Sequence, residues 1–337
     1  METTDNVISR KMNELAKRLI TNIMRSDRMW SLMCEVTIPI MQKMAVTGKS
    51  TDKCLQHGFL PVPIQFYQPI PDIEELEKRG VWDKVSSLKG IYFEPGEYLD
   101  FIRQLSIEYA NECTWPNDPS ENPMQFHLHN GCFSYGCAAP LHCIIRHNKP
   151  KRIIEIGSGN SSKVINSAII LNSQQGHDTI YTIIDPYSNL DDKNFYPNTI
   201  VIRKPVELMD PEFFESLGEN DILFIDSSHV CKMGSDVNFE ILEVLPSLKK
   251  GVYIHFHDVD LPYEYAKIYS TNPAFRVFWT ESYLLQAFLA CNKDFKIVLP
   301  MRYLQSTHGD DLKEFFPESA KTDFGFVSGS FWITRIS

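Results

Sequence analysis

The sequence predicts an α/β protein whose largely parallel sheet is covered by helices on both faces, preceded by a mainly helical N-terminal extension. Three observations carry this. The stretch Arg152 to Ile165, RIIEIGSGNSSKVI, reads as a short β-branched strand, a glycine turn bearing an acid, and the opening of a helix. Short apolar runs recur at Tyr181 to Ile184, Thr199 to Arg203, Asp221 to Asp226 and Gly251 to His257, separated by stretches of mixed polarity. One of these stretches, DVNFEILEVLPSL at Asp236 to Leu248, carries Val237, Ile241, Val244, Leu245 and Leu248 at helical spacing. Strands that alternate with helices imply parallel pairing.

The first strand and its turn define a ligand site. Ile153, Ile154 and Ile156 mark the strand, Gly157 and Gly159 let the backbone turn sharply, and Asn160, Ser161 and Ser162 supply N-cap chemistry. A phosphate prefers bare amide N–H groups and the positive end of a helix, so the carboxylate of Glu155 argues against a pyrophosphate and suits a cation. The dinucleotide fingerprint G-x-G-x-x-G would need a third glycine where Ser162 stands. Strand two, YTII, ends in Asp185, 26 positions past Gly159 and followed by Pro186. An acid there is placed to accept both hydroxyls of a ribose, which identifies a nucleoside without identifying the chemistry.

The spacing E-x-G-x-G with that second acid resembles motif I of the class I S-adenosylmethionine-dependent methyltransferases. The segments FYQPIPD at Phe66 to Asp72, DSSHVCKMGSDVNFE and HFHD are similar to a bacterial subgroup of small-molecule and sugar O-methyltransferases. The resemblance covers residues 130–337. It implies a Rossmann-like, seven-stranded, mostly parallel sheet, completed after a helix at Glu281 to Leu289 by a terminal hairpin of FKIVL, 295–299, and GSFWIT, 329–334. It also implies S-adenosylmethionine as cofactor, held by Glu155, Gly157, Ser158, Gly159, Ser162, Asp185, Pro186 and Asp226. The segment before the first strand is implied to cover the methionine end of the cofactor through Asn130 and Phe133.

Methyl transfer from a sulfonium needs alignment above all, and a base only where the acceptor carries a proton of high pKa. Candidates cluster after strands four and five, where an open α/β sheet places its ligands: Asp226, His229, His255, His257 and Asp258. His255 and His257 share a strand face, whereas Asp258 points away unless the chain has already turned. The metal-assisted relatives hold magnesium with an acid after strand four and acids or amides after strand five. Asp226 and Asp258 match those places, and His257 stands where an acid is expected. Three readings stay open: His257 or His229 as general base without metal, a divalent ion on Asp226, His257 and Asp258, or histidines satisfied structurally.

Composition bounds the rest. The 337 residues are 43% hydrophobic and 12% aromatic, enough for a sizeable core. A formal charge of −10 without clustered Lys and Arg disfavours nucleic acid, no apolar run reaches the roughly twenty residues of a membrane span, and no signal peptide opens the chain. The eight cysteines form no CxxC pair and read as reduced thiols of a cytoplasmic protein. His127, His129, Cys132, Cys137, His142 and Cys143 crowd together, but their spacings match no standard zinc pattern, and a loop leading into a helix at Ala138 to Arg146 accounts for them.

Three segments are expected: a helical one at 1–57, an extended connector with a helical cover at 58–129, and the cofactor-binding domain at 130–337. Ile8, Met12, Leu15, Leu19, Ile23 and Met24 repeat at helical spacing, and seven of the eleven methionines fall in the first 44 residues. That soft surface reads as a homo-oligomeric contact, as a cover over the substrate, or as a helix packed outside the sheet. The expected activity is methylation of a hydroxyl on a small molecule or sugar. A nucleotide-dependent oxidoreductase and a non-catalytic cofactor-binding module are the alternatives.

Overall fold

Every strand expected from the sequence forms in the computed structural model, which describes residues 20, 21, 23–190 and 195–337. The strands are β1 (Arg152–Ile156), β2 (Ile180–Ile184), β3 (Thr199–Ile202), β4 (Ile222–Ile225), β5 (Tyr253–Phe256), β6 (Phe295–Pro300) and β7 (Phe331–Arg335). They make one sheet in the order β3-β2-β1-β4-β5-β7-β6, in which only β7 runs antiparallel, to both β5 and β6. The sequence implied a terminal hairpin, and the antiparallel pair is there, but residues 301–330 intervene. They hold two helices, Met301–Thr307 and Gly309–Phe315, that the strand pattern did not reveal.

The chain divides into two compact units, one ending at Arg79 and one spanning Gly80–Ser337. In the first, the helix Asp27–Thr47 is capped by Ser26 and stopped by Gly48 in the left-handed conformation. None of its residues is buried, and Trp30, Leu32, Val36, Ile38 and Ile40 are exposed. The apolar repeat read at Ile8 to Leu19 lies outside the described residues. The proline-bearing segment 58–72 is neither helix nor strand, as four prolines require.

In the second unit the central strands are buried on both faces, which explains their continuous apolar runs. The helix Tyr135–Asn148 packs with Asn160–Gln174, joined by Asn172, which bonds Arg146 and the carbonyl of Ile145, and a partly buried ion cluster ties the first helix to Glu112. Glu112 accepts from Arg146 Nε at 2.7 Å and Nη2 at 3.1 Å and meets His142 Nε2 at 2.8 Å. His142 is therefore a core histidine, and all eight cysteines are free. Although burial opposes ionisation, His142 and Arg146 bring the Glu112 carboxyl down to about 2. Its stabilisation is complete above the ordinary carboxylate pKa and is lost as pH falls towards 2. Glu112→Gln should therefore cost about 2–3 kcal/mol in denaturant unfolding at neutral pH and little near pH 2.

Candidate active site

Register brings several candidate residues to one edge of the sheet. Ile184, Ile156, Ile225 and Phe256 lie in one row across β2, β1, β4 and β5, so the next residues, Asp185, Gly157, Asp226 and His257, leave the sheet side by side. The ladder runs one step further: Gly157 N–H donates to Ile184 O at 3.0 Å, Asp226 N–H to Ile156 O at 3.0 Å, and His257 N–H to Ile225 O at 2.9 Å. At Gly157 the backbone has φ +85°, and a Cβ there would lie 2.2 Å from the carbonyl oxygen of Asp226. Only glycine fits that approach.

A cleft of about 470 Å³ opens over this edge, walled by Gly157, Ser158, Asp185, Pro186 and Asp226 among others. Five of the residues assigned to the cofactor thus line it. Asp185 takes a hydrogen bond from Ser158 Oγ and another from Tyr187 N at 2.8 Å, so its carboxylate stands fixed at the mouth of β2. The loop after β4 forms the facing wall, where Ser228 binds Asp236 through its hydroxyl at 2.6 Å and its amide at 2.9 Å.

Glu155 and Ser162 have another place. Fully buried beneath the turn, the Glu155 carboxyl accepts from Ser161 Oγ at 2.6 Å, Ser162 Oγ at 2.7 Å and the hydroxyl of Tyr181. Ser162 Oγ in turn accepts from Gly159 N–H at 3.0 Å. Burial lifts the Glu155 carboxyl to about 7 despite those three donors. These residues shape the glycine turn from below, and Gly159 is not among the residues walling the cleft. Asn130 likewise serves its own loop: its side chain donates to the carbonyls of His127 and Phe133 and accepts from the amides of Cys132 and Phe133. Phe133 is buried and stacks on His257 with ring centres 5.0 Å apart.

Asp226, which walls the cleft, also meets His229, His257 and Asp258. His229 Nε2 is 3.3 Å from Asp226 Oδ1 and 3.8 Å from Asp258 Oδ2; His257 Nδ1 is 3.6 Å and 3.4 Å from the same two oxygens. The four atoms form a ring in which carboxylate and imidazole alternate. Asp258 reaches it because the chain has already turned, at φ +55°, and His229 sits at φ +59°. Two non-glycine residues in the left-handed region at one site hold strain that the surroundings must enforce. Burial opposes charge throughout, yet the imidazoles keep the Asp226 carboxyl well below its ordinary range. Asp226 and Glu281 raise His229 to about 10, and Asp226 and Asp258 raise His257 well above its usual value. His255 stays apart: burial holds it well below its usual pKa, it pairs with Ser330 Oγ at 2.9 Å, and it stacks on Phe224 beside a tilted Trp332.

Sequence reasoning missed the second layer. Glu281, wholly buried, accepts from His229 Nδ1 at 2.8 Å across 52 positions of sequence. Glu240 lies in a π turn, Glu240–Val244, that interrupts the helix expected over 236–248, and it accepts from Ser227 Oγ at 2.9 Å. Trp279 packs 4.7 Å from the His229 ring and 4.4 Å from Tyr269. Nothing local marks such residues, because their roles arise only when distant segments meet.

Part of the chain that holds this site is similar to known proteins. A family model described as a methyltransferase domain matches residues 154–259, from β1 to just past β5. An uncharacterized protein of Archaeoglobus fulgidus is 32% identical over 186 residues, 52% of this chain and 80% of that protein. Among solved structures, an apo form of CmcI is 15% identical with a TM-score of 0.37, over 60% of this chain and 71% of that one. The O-methyltransferase TomG from Streptomyces achromogenes, in complex with SAM, is 14% identical with a TM-score of 0.35, over 73% and 92%. Residues 154–259 thus form a methyltransferase domain.

Proposed function

We propose that the chain transfers the methyl group of S-adenosylmethionine to a hydroxyl of a small molecule or sugar. The observation that carries this reading is Asp226, which belongs at once to the cleft wall and to the carboxylate–imidazole ring. Asp185 is placed for the ribose diol, and the glycine turn leaves its backbone open to the methionyl chain. In the reaction a C–O bond forms as the C–S bond breaks, with its electron pair left on sulfur. The hydroxyl proton passes to the ring, where the Asp258 carboxylate is the acceptor and Asp226 holds the two imidazoles. An imidazole N–H facing the same oxygen lowers the cost of its developing negative charge. Trp279 and Tyr269 add an aromatic face beside His229 on which a ring-shaped acceptor can rest.

Magnesium, which the resemblance implies, does not fit this donor set. It demands oxygen ligands, whereas two of the four inward atoms are imidazole nitrogens. No step is therefore assigned to it. Incubation with methyl-labelled S-adenosylmethionine and a panel of hydroxylated sugars and phenols should yield an O-methylated product by mass spectrometry. Label appearing only on amines or carbons would overturn the assignment to oxygen.

A further inference from the structure

We infer that Glu281 is a positioning residue that locks His229 into the ring, so that imidazole nitrogens face the acceptor oxygen where a divalent ion stands elsewhere. The inference rests on the cleft being the methyl-transfer site. Glu281 opens the helix Glu281–Leu289, has no exposed surface, and holds His229 Nδ1 at 2.8 Å. That contact fixes which nitrogen faces outward: Nδ1–H donates to Glu281, and Nε2 turns to Asp226 and Asp258. The same helix end grips the backbone, since the carbonyl of His229 accepts from Thr280 N at 2.9 Å and Glu281 N at 3.2 Å. Main chain and side chain of His229 are thus held by one element, which is what keeps a left-handed histidine in place.

Charge balance explains why two imidazoles occupy the centre. Asp226, Asp258 and Glu281 surround His229 and His257. Carboxylates gathered in so little solvent need compensating cations close by. His257 meets that need without a formed hydrogen bond: it is buried, and neither ring nitrogen has a partner within bonding geometry. A nitrogen left unpaired and aimed between two carboxylates is free to donate to an acceptor oxygen brought against it. Glu281 is not among the residues walling the cofactor cleft, so its influence passes through His229.

Full-length protein should retain turnover in the presence of a strong chelator and should carry substoichiometric divalent metal by elemental analysis. Glu281→Gln, which keeps the shape and removes the charge, should lower kcat by about tenfold or more while the KM for S-adenosylmethionine stays within about twofold. Glu281→Asp should recover part of the loss, and it also serves if the glutamine variant fails to fold. Turnover abolished by chelation and restored by magnesium would overturn the inference, as would equal losses in kcat and cofactor affinity in both variants, which mark a purely structural glutamate. Failure of the underlying reading is separate: it appears as wild-type protein that does not bind S-adenosylmethionine at all.

Discussion

Replacing Asp226 by alanine is expected to reduce methyl transfer by on the order of a hundredfold or more, the usual cost of losing a group that organises charge around the reacting atoms. The size of the effect follows from position. Asp226 faces both His229 and His257 and also walls the cleft, so its loss removes one of the two carboxylates that the imidazoles share. The imidazoles would then lose protons on burial, and the charge presented to the acceptor would fall with them. Asp226→Asn separates shape from charge: turnover as low as in the alanine variant means that charge matters, and turnover near wild type means that the side chain only fills space.

Gly157→Ala is the second large effect, and it acts through backbone. The left-handed conformation alone costs a non-glycine residue about 1–2 kcal/mol. The added Cβ would also meet the Asp226 carbonyl oxygen at 2.2 Å, so β1 and β4 must separate where the cleft begins. Cofactor affinity should fall more than about tenfold, since a shift of this kind reaches both Ser158 and Asp226, and thermal unfolding should move down by several degrees. Gly159→Ala is the control: nothing lies within 4 Å of its Cβ position, so the fold should tolerate it. Equal effects of the two substitutions in calorimetry and thermal melts would show that close packing at Gly157 is not what the turn requires.

The strands and the glycine turn were legible because they are local. β-branched runs, a pair of glycines and an acid at the end of β2 each lie within a few residues, and the register of a parallel sheet then carries Asp185, Asp226 and His257 to one edge. The same locality misled at Glu155. Its place beside the turn suggested a ligand contact, yet a strand residue alternates faces, and this one points into the layer beneath Asn160–Gln174, where Ser161, Ser162 and Tyr181 take it up. Asp258 illustrates the opposite case: strand alternation alone turns it away, and only its left-handed turn returns it to the ring. Glu281 was visible as the first residue of a helix but not as the partner of His229, since no periodicity joins residues 52 positions apart.

Calorimetric titration of S-adenosylmethionine into the full-length protein, beside the Asp185→Ala variant, tests the cofactor cleft most directly. One cofactor should bind per chain, and loss of the Asp185 carboxylate should weaken binding by roughly tenfold to a hundredfold, the 1–3 kcal/mol of a charge-assisted hydrogen bond to the ribose. Binding of NAD with none of S-adenosylmethionine, or equal affinity in the variant, would contradict the account.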